Sequence, residues 1–154
     1  MGNERVNAKG VCSLKKEKFI MDGFWENIIV KTAAGYSVVI LCTLVFLAIF
    51  ELVTTYKNWE EIKKGNIAVA MATGGKIFGI ANIFRFSIEQ NDTLIQNIGW
   101  GAFGFLLLLF GYFIFEFLTP KLNVDKEIGK GNTAVGFISM VISIGLSFVI
   151  GANI

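Results

Sequence analysis

Four long apolar segments dominate the sequence and restrict the folds that are open to it. They cover about residues 28–50, 67–88, 95–118 and 133–153. A helix needs about 20 apolar residues to cross the hydrocarbon of a bilayer, and backbone groups in lipid must be satisfied within the segment. The segments do not alternate as the strands of a barrel do. The sequence therefore predicts an all-α polytopic membrane protein with four transmembrane helices.

A short motif occurs twice, after the first apolar segment and again after the third. The two copies are ELVTTYKNWEEIKKGNIAV at residues 51–69 and EFLTPKLNVDKEIGKGNTAV at residues 116–135. Each copy lies between two apolar segments, so we interpret the chain as two tandem two-helix repeats, residues 21–88 and 95–154, joined by a short connection at 89–94. Because each unit has an even number of helices, the two repeats are predicted to be parallel in the membrane.

Residues 1–20 form a polar, lysine-rich leader. The apolar segment that follows it is longer than the core of a signal peptide and ends in Glu51 instead of a small-residue cleavage site. We therefore expect an uncleaved first helix. A second interpretation places the native start at Met21, which would leave the leader out of the native protein.

The distribution of lysine predicts the orientation of the chain. Positive charge marks the cytoplasmic side of a membrane protein, and the connection at 89–94 has no lysine or arginine. We therefore predict that the repeat loops at 53–66 and 119–132 are cytoplasmic and that both termini lie outside. The lysines of these loops are Lys57, Lys63, Lys64, Lys121, Lys126 and Lys130.

Composition argues against several classes of function. The chain has no histidine, which removes histidine general bases, histidine metal ligands and axial histidine ligation of haem. It also lacks the HExxH and GxSxG motifs and any basic cluster with interleaved aromatic residues, the pattern expected for nucleic-acid binding. We expect no catalytic residue, no metal and no cofactor.

Polar residues of the motif have structural explanations. Asn66 and Asn132 precede the second and fourth apolar segments, where an asparagine side chain caps a helix by accepting a bond from a first-turn N–H. Thr54 and Thr119 follow the ends of the first and third segments, where we expect their hydroxyls to bond the last helical carbonyls.

Three charged residues lie at membrane depth. Glu51 and Glu116 each end a predicted helix, where the dipole disfavours an anion. They either mark the interface, balanced by Lys63 or Lys64, or form a carboxylate set at the mouth of a pathway. Lys76 lies near the centre of the second helix, and such residues usually face a bundle interior or water. It either forms an ion pair with one of the glutamates, or snorkels, or belongs to a functional site.

Small residues recur at helical spacing in the second and fourth segments. Such stripes let membrane helices approach closely, so we predict a compact bundle or an oligomer. The predicted packing residues are Gly75 and Gly79 in the second segment and Ser139, Ser143, Ser147 and Gly151 in the fourth.

The repeated E-I-x-K-G-N-x-A-V motif, each copy preceded by a glutamate at a helix end, resembles the YjfL-like bacterial inner-membrane family, also designated domain of unknown function 350 and UPF family 0719. The resemblance covers about residues 24–154. It implies a multi-pass protein of the bacterial inner membrane, in contact with the lipid bilayer, with no established activity. The function expected from it is a non-catalytic accessory or scaffold role with itself or other membrane proteins as partners. The alternative is an oligomeric ion or small-solute pathway lined by Glu51, Glu116 and Lys76.

Overall fold

The computed structural model describes residues 27–120 and 122–154, and all structural statements refer to these residues. The leader and the suggested start at Met21 lie outside them. The described chain forms six helices: α1 Ile28–Val53, α2 Asn58–Lys63, α3 Ile67–Gln90, α4 Leu94–Leu118, α5 Val124–Gly129 and α6 Thr133–Gly151.

The prediction of four transmembrane helices is confirmed. The helices α1, α3, α4 and α6 are each long and apolar enough to cross a membrane. The short helices α2 and α5 lie in the two repeat loops. The connection between α3 and α4 is shorter than predicted, since only residues 91–93 separate the two helices. That whole two-helix units are duplicated remains a prediction.

The chain divides into two compact units, one that ends at Val38 and one that comprises Val39–Ile154. In the first unit, the start of α1 is largely exposed, and Ile28, Ile29, Thr32, Ala33 and Tyr36 line a shallow apolar depression on it. The Thr32 hydroxyl donates to the Ile28 carbonyl at 2.8 Å. This bond keeps a polar group satisfied inside the helix, as a lipid-exposed surface requires.

Within the second unit, α3 is the central helix. It packs against α6 and α4 and is the most buried of the four long helices. One apolar core lies among the long helices and is formed by Leu47, Phe50, Ile80, Ile83, Phe84, Phe105, Leu108, Tyr112 and Ile150. A second core lies beneath the repeat loops and is formed by Tyr56, Ala68, Val69, Ala72, Val124, Ile128 and Val135.

The contact between α3 and α6 depends on small residues, as predicted. A Cβ added to Gly75 would lie 2.6 Å from the Met140 Cα, and one added to Gly79 would lie 3.2 Å from the Ser143 carbonyl oxygen. The two backbones therefore approach too closely for larger side chains at these positions. The remaining predicted packing residues, Ser139, Ser143, Ser147 and Gly151, are all buried.

Adjacent glycines in α3 provide a matched test of this packing. We expect Gly75→Ala to lower the free energy of unfolding by about 1–3 kcal/mol, because the new methyl group overpacks against the backbone of α6. Gly74→Ala is the control, since a Cβ at Gly74 has no neighbour within 4 Å. The control should leave stability unchanged or raise it by up to about 1 kcal/mol, because alanine favours the helix. Thermal unfolding in detergent measures both, and equal stability of the two variants would contradict the packing.

Candidate functional site

The two repeat loops have the same local geometry. Gly65 and Gly131 end the short helices with φ angles of 86° and 90°, a left-handed conformation that glycine adopts without strain. The next residue caps the following long helix in both loops. The Asn66 side chain accepts a bond from the Val69 N–H at 3.2 Å, and Asn132 makes the corresponding cap to α6. Both predicted N-caps are confirmed.

Each cap also belongs to a small charged cluster on the loop surface. In the first loop, Glu61 accepts from the Lys64 Nζ at 2.6 Å and from the Asn66 Nδ2 at 3.4 Å. These hydrogen bonds lower the pKa of Glu61 below its usual value. Bonds from Asn132 and Lys130 lower the pKa of Glu127 in the same way. Lys64 therefore pairs with Glu61 and not, as one interpretation expected, with the glutamate that ends the first helix.

Hydrogen bonds join the two loops directly. The Asn66 Nδ2 donates to the Ile128 and Gly129 carbonyls at 3.3 and 3.0 Å. The Thr55 N–H donates to the Asp125 Oδ2 at 2.8 Å. These bonds place both loops at the same end of the bundle. The amide of Asn132 donates instead to Glu127 within its own loop. Of the two caps, Asn66 is therefore the one that connects the loops.

The helix-end residues of the motif surround this loop end. The hydroxyls of Thr54 and Thr119 donate to the Phe50 and Phe115 carbonyls at 3.0 and 2.8 Å, as expected for residues that satisfy the last carbonyls of a helix. Glu51 and Glu116, the other two predicted positions at the helix ends, are partly exposed.

Lys76 is fully buried, with a relative exposure of 0%. Its ammonium donates to the Tyr56 hydroxyl at 3.2 Å. The same nitrogen lies 5.1 Å from the ring centre of Phe50, 5.2 Å from that of Tyr56 and 5.5 Å from that of Tyr112. A cation within about 6 Å of an aromatic face is attracted to it, by about 2 kcal/mol or more when water is excluded. The three rings thus form an aromatic cage around the ammonium.

Three segments of the fold form the cage, and a fourth supplies the lysine. Lys76 comes from α3, Phe50 from the last turn of α1, Tyr56 from the segment between α1 and α2, and Tyr112 from α4. Phe50 meets Tyr112 edge to face with ring centres 6.0 Å apart. An isolated ammonium in an apolar interior is costly, and the rings and the phenol offset part of that cost.

Asp125 is the buried anion of the site and is only 2% exposed. It accepts a hydrogen bond from the Tyr112 hydroxyl as well as the bond from the Thr55 N–H. Tyr112 therefore faces the ammonium with its ring and the carboxylate with its hydroxyl. Burial raises the pKa of the Tyr56 phenol, and the negative charges of Asp125 and Glu116 raise it further. The phenol therefore stays protonated across the physiological range.

The geometry decides between the expectations for Lys76. Snorkelling is wrong, because the ammonium stays inside the bundle. In the described part of the chain, no carboxylate oxygen lies within 4 Å of the Lys76 Nζ, so the expected direct pair with Glu51 or Glu116 does not form. The predicted positions Glu51 and Glu116 lie at the rim of the loop end, whereas Lys76 occupies its interior.

Sequence reasoning missed the three rings of the cage, Phe50, Tyr56 and Tyr112, and the buried carboxylate Asp125. One available signal was the difference between the two copies of the motif. Asp125 stands where the first copy has Trp59, and Lys76 has only an apolar counterpart in α6. Each charge of the site thus occurs in one of the two predicted repeats only, Lys76 in the first and Asp125 in the second. Residues 27–120 and 122–154 bring no three potential metal ligands together, and the arrangement holds an ammonium and a carboxylate away from water.

The two helix caps provide a matched measurement of the contact between the loops. We expect Asn132→Ala to lower the free energy of unfolding by about 1 kcal/mol, the usual value of a lost N-cap. Asn66→Ala should cost about 1–2 kcal/mol more, because it also removes the two hydrogen bonds to the Ile128 and Gly129 carbonyls of the other loop. Chemical or thermal unfolding of both variants measures the difference. Equal losses would show that the bonds between the loops contribute nothing to stability.

Comparison with known proteins identifies the family. The family model described as Domain of Unknown Function (DUF350) matches residues 21–154. The chain is 65% identical over 134 residues to YshE, a UPF0719 transmembrane protein of Bacillus subtilis strain 168, covering 87% of this chain and 100% of that protein. It is 22% identical over 104 residues to YjfL, a UPF0719 inner membrane protein of Escherichia coli K12, covering 68% of this chain and 77% of that protein. No solved structure matches. With its four apolar helices, the chain is a multi-pass inner membrane protein that belongs to the DUF350 family.

Proposed function

We propose that this protein is a non-catalytic accessory or scaffold protein of the bacterial cell envelope. In this proposal, the repeat loops 53–66 and 119–132 face the cytoplasm and both termini lie outside. The observation that carries the proposal is the complete burial of Lys76 in its aromatic cage. A charge that served a substrate or a moving ion would need access to it.

The contacts that the other charged residues make support the same function. Asp125 is engaged by Thr55 and Tyr112. The ion pairs of the described residues are local ones at the loops and at the far end of α3, such as Lys64 with Glu61 and Arg85 with Glu89. These charges bond within the chain, and we propose the outer helix faces as the surfaces for contact with other molecules.

Those outer faces are apolar and extensive. On α1, Leu41 and Leu44 are 66% and 59% exposed, and on α4 Phe110 is 63% exposed. Such side chains suit lipid and also the transmembrane helices of a partner, since helices associate in lipid through packing. We propose a second copy of this chain or another membrane protein as the partner of these faces.

An oligomeric pathway for ions or small solutes, lined by Glu51, Glu116 and Lys76, is the second candidate. It is favoured by the partial exposure of Glu51 and Glu116 at one end of the bundle. The full burial of Lys76 weighs against it.

Photo-crosslinking in intact cells tests the scaffold proposal. A photoreactive amino acid at Leu41, which faces outward, should give protein adducts of defined mass. The control is the same amino acid at Leu108, which is 2% exposed and should give no intermolecular product. If the Leu41 position reacts with lipid alone, under conditions in which the protein is abundant and inserted, the scaffold proposal fails.

Ion flux into proteoliposomes tests the second candidate. We expect no flux above that of empty vesicles for the wild type, for Lys76→Met or for Glu51→Gln with Glu116→Gln, because aromatic rings enclose the buried ammonium of Lys76. Verified insertion and a known channel in parallel vesicles serve as controls. Flux that changes with these substitutions would establish a pathway and identify its lining.

A further inference from the structure

We propose that the proton on Lys76 acts as a switch for the first repeat loop. The loop is held against the bundle while Lys76 is an ammonium and is released when Lys76 becomes a neutral amine. The observation that carries this inference is that the cage is built from residues on both sides of the loop junction: Phe50 from α1, Tyr56 from the loop and Tyr112 from α4. The inference concerns regulation and is independent of the proposed scaffold function.

The cage distinguishes the two states of the lysine by charge. The attraction between Lys76 and the three rings is that of a cation for the negative faces of aromatic systems. A neutral amine has no such attraction, although it can still exchange one hydrogen bond with the Tyr56 hydroxyl. Loss of the proton therefore removes the attraction of three rings at once, while apolar burial by itself favours the neutral form.

The segment expected to move when Lys76 loses its proton is the short connection between α1 and α2. Two neighbouring residues, Thr55 and Tyr56, bond it to the site. Tyr56 bonds to Lys76 through its hydroxyl, and the N–H of Thr55 bonds to Asp125. When Lys76 is neutral, the segment loses the attraction between the ammonium and the Tyr56 ring and keeps the Asp125 contact and one neutral hydrogen bond. Trp59 follows three residues later in α2 and is 53% exposed, so a movement of Tyr56 should reach a residue with a fluorescent side chain.

The titratable groups around Lys76 come from four parts of the fold. They are Glu51 on α1, Tyr56 in the loop, Tyr112 and Glu116 on α4, and Asp125 on α5. Asp125 bonds to the hydroxyl of Tyr112, whose ring faces the ammonium, so its negative charge lies on the far side of that ring from the ammonium. The switch itself is the equilibrium transfer of one proton from the Lys76 Nζ to bulk solvent. No other bond changes, and no oxidant or reductant takes part.

The fluorescence of Trp59 tests the switch. Trp25→Phe with Trp100→Phe leaves Trp59 as the sole tryptophan, and the protein is titrated from about pH 6 to pH 10 in lipid nanodiscs. We expect a transition that involves one proton in this background. Lys76→Met should give a flat trace with the emission of the high-pH state, and Lys76→Arg, which keeps its charge throughout, should give no transition either. The proposal would be overturned if the emission of the single-tryptophan protein did not change with pH. It would also be overturned if the Lys76→Met variant of that protein showed the same transition.

Two milder variants keep the test decisive if Lys76 cannot be replaced without loss of folding. Asp125→Asn removes a charge that favours the ammonium, so the transition should move to lower pH by about one unit. Tyr56→Phe removes only the hydroxyl, so the transition should persist with an altered midpoint if Lys76 titrates and should vanish if the Tyr56 phenol itself titrates. Circular dichroism and gel filtration verify that each variant is folded. An unchanged midpoint in Asp125→Asn, or a lost transition in Tyr56→Phe, would refute the switch.

Discussion

An ammonium group buried among apolar helices is the constraint on which the loop end of this protein depends. A lysine at mid-membrane costs about 2.5–3.5 kcal/mol on insertion scales, and Lys76 is fully buried. The cost is offset by aromatic rings from α1, the first loop and α4, and by the hydrogen bond to the hydroxyl of the loop residue Tyr56. Because no single segment supplies the cage, the position of the lysine and the positions of these segments depend on one another.

The contact between α3 and α6 determines where that lysine points. Gly75 touches the backbone of α6 near Met140, and the next residue of a helix lies about 100° further around its axis. Lys76 is therefore directed away from the Gly75 contact and into the space between α1, α4 and the loop. In lipid, where helices gain little from the hydrophobic effect, close packing of small residues provides much of the association energy. Gly75 thus allows the close packing of α3 on α6, and the next residue, Lys76, forms the charged site.

The two loops show how similar geometry can serve different purposes. Both end a short helix with a left-handed glycine and cap the next helix with an asparagine. Only Asn66 reaches across to the other loop, and only the second loop supplies a buried carboxylate, Asp125. A scaffold protein would need such a rigid end to present its outer helix faces in a fixed arrangement, and a switch at Lys76 would give the cell a way to alter it.

The sequence by itself determined the four membrane helices, the caps at Asn66 and Asn132, and the small faces of α3 and α6. Each follows from neighbours in the chain: apolar length, an asparagine at a helix start, and small residues at helical spacing. The cage around Lys76 was decided only by the tertiary structure, because the lysine and the three rings lie in four separate segments and their alignment depends on how the helices pack. The expected partners, Glu51 and Glu116, lie at helix ends that the long side chain of Lys76 was expected to reach. The position of a residue along a helix does not tell which way its side chain points around the helix axis. In the folded protein the Lys76 side chain points toward three aromatic rings and not toward the glutamates.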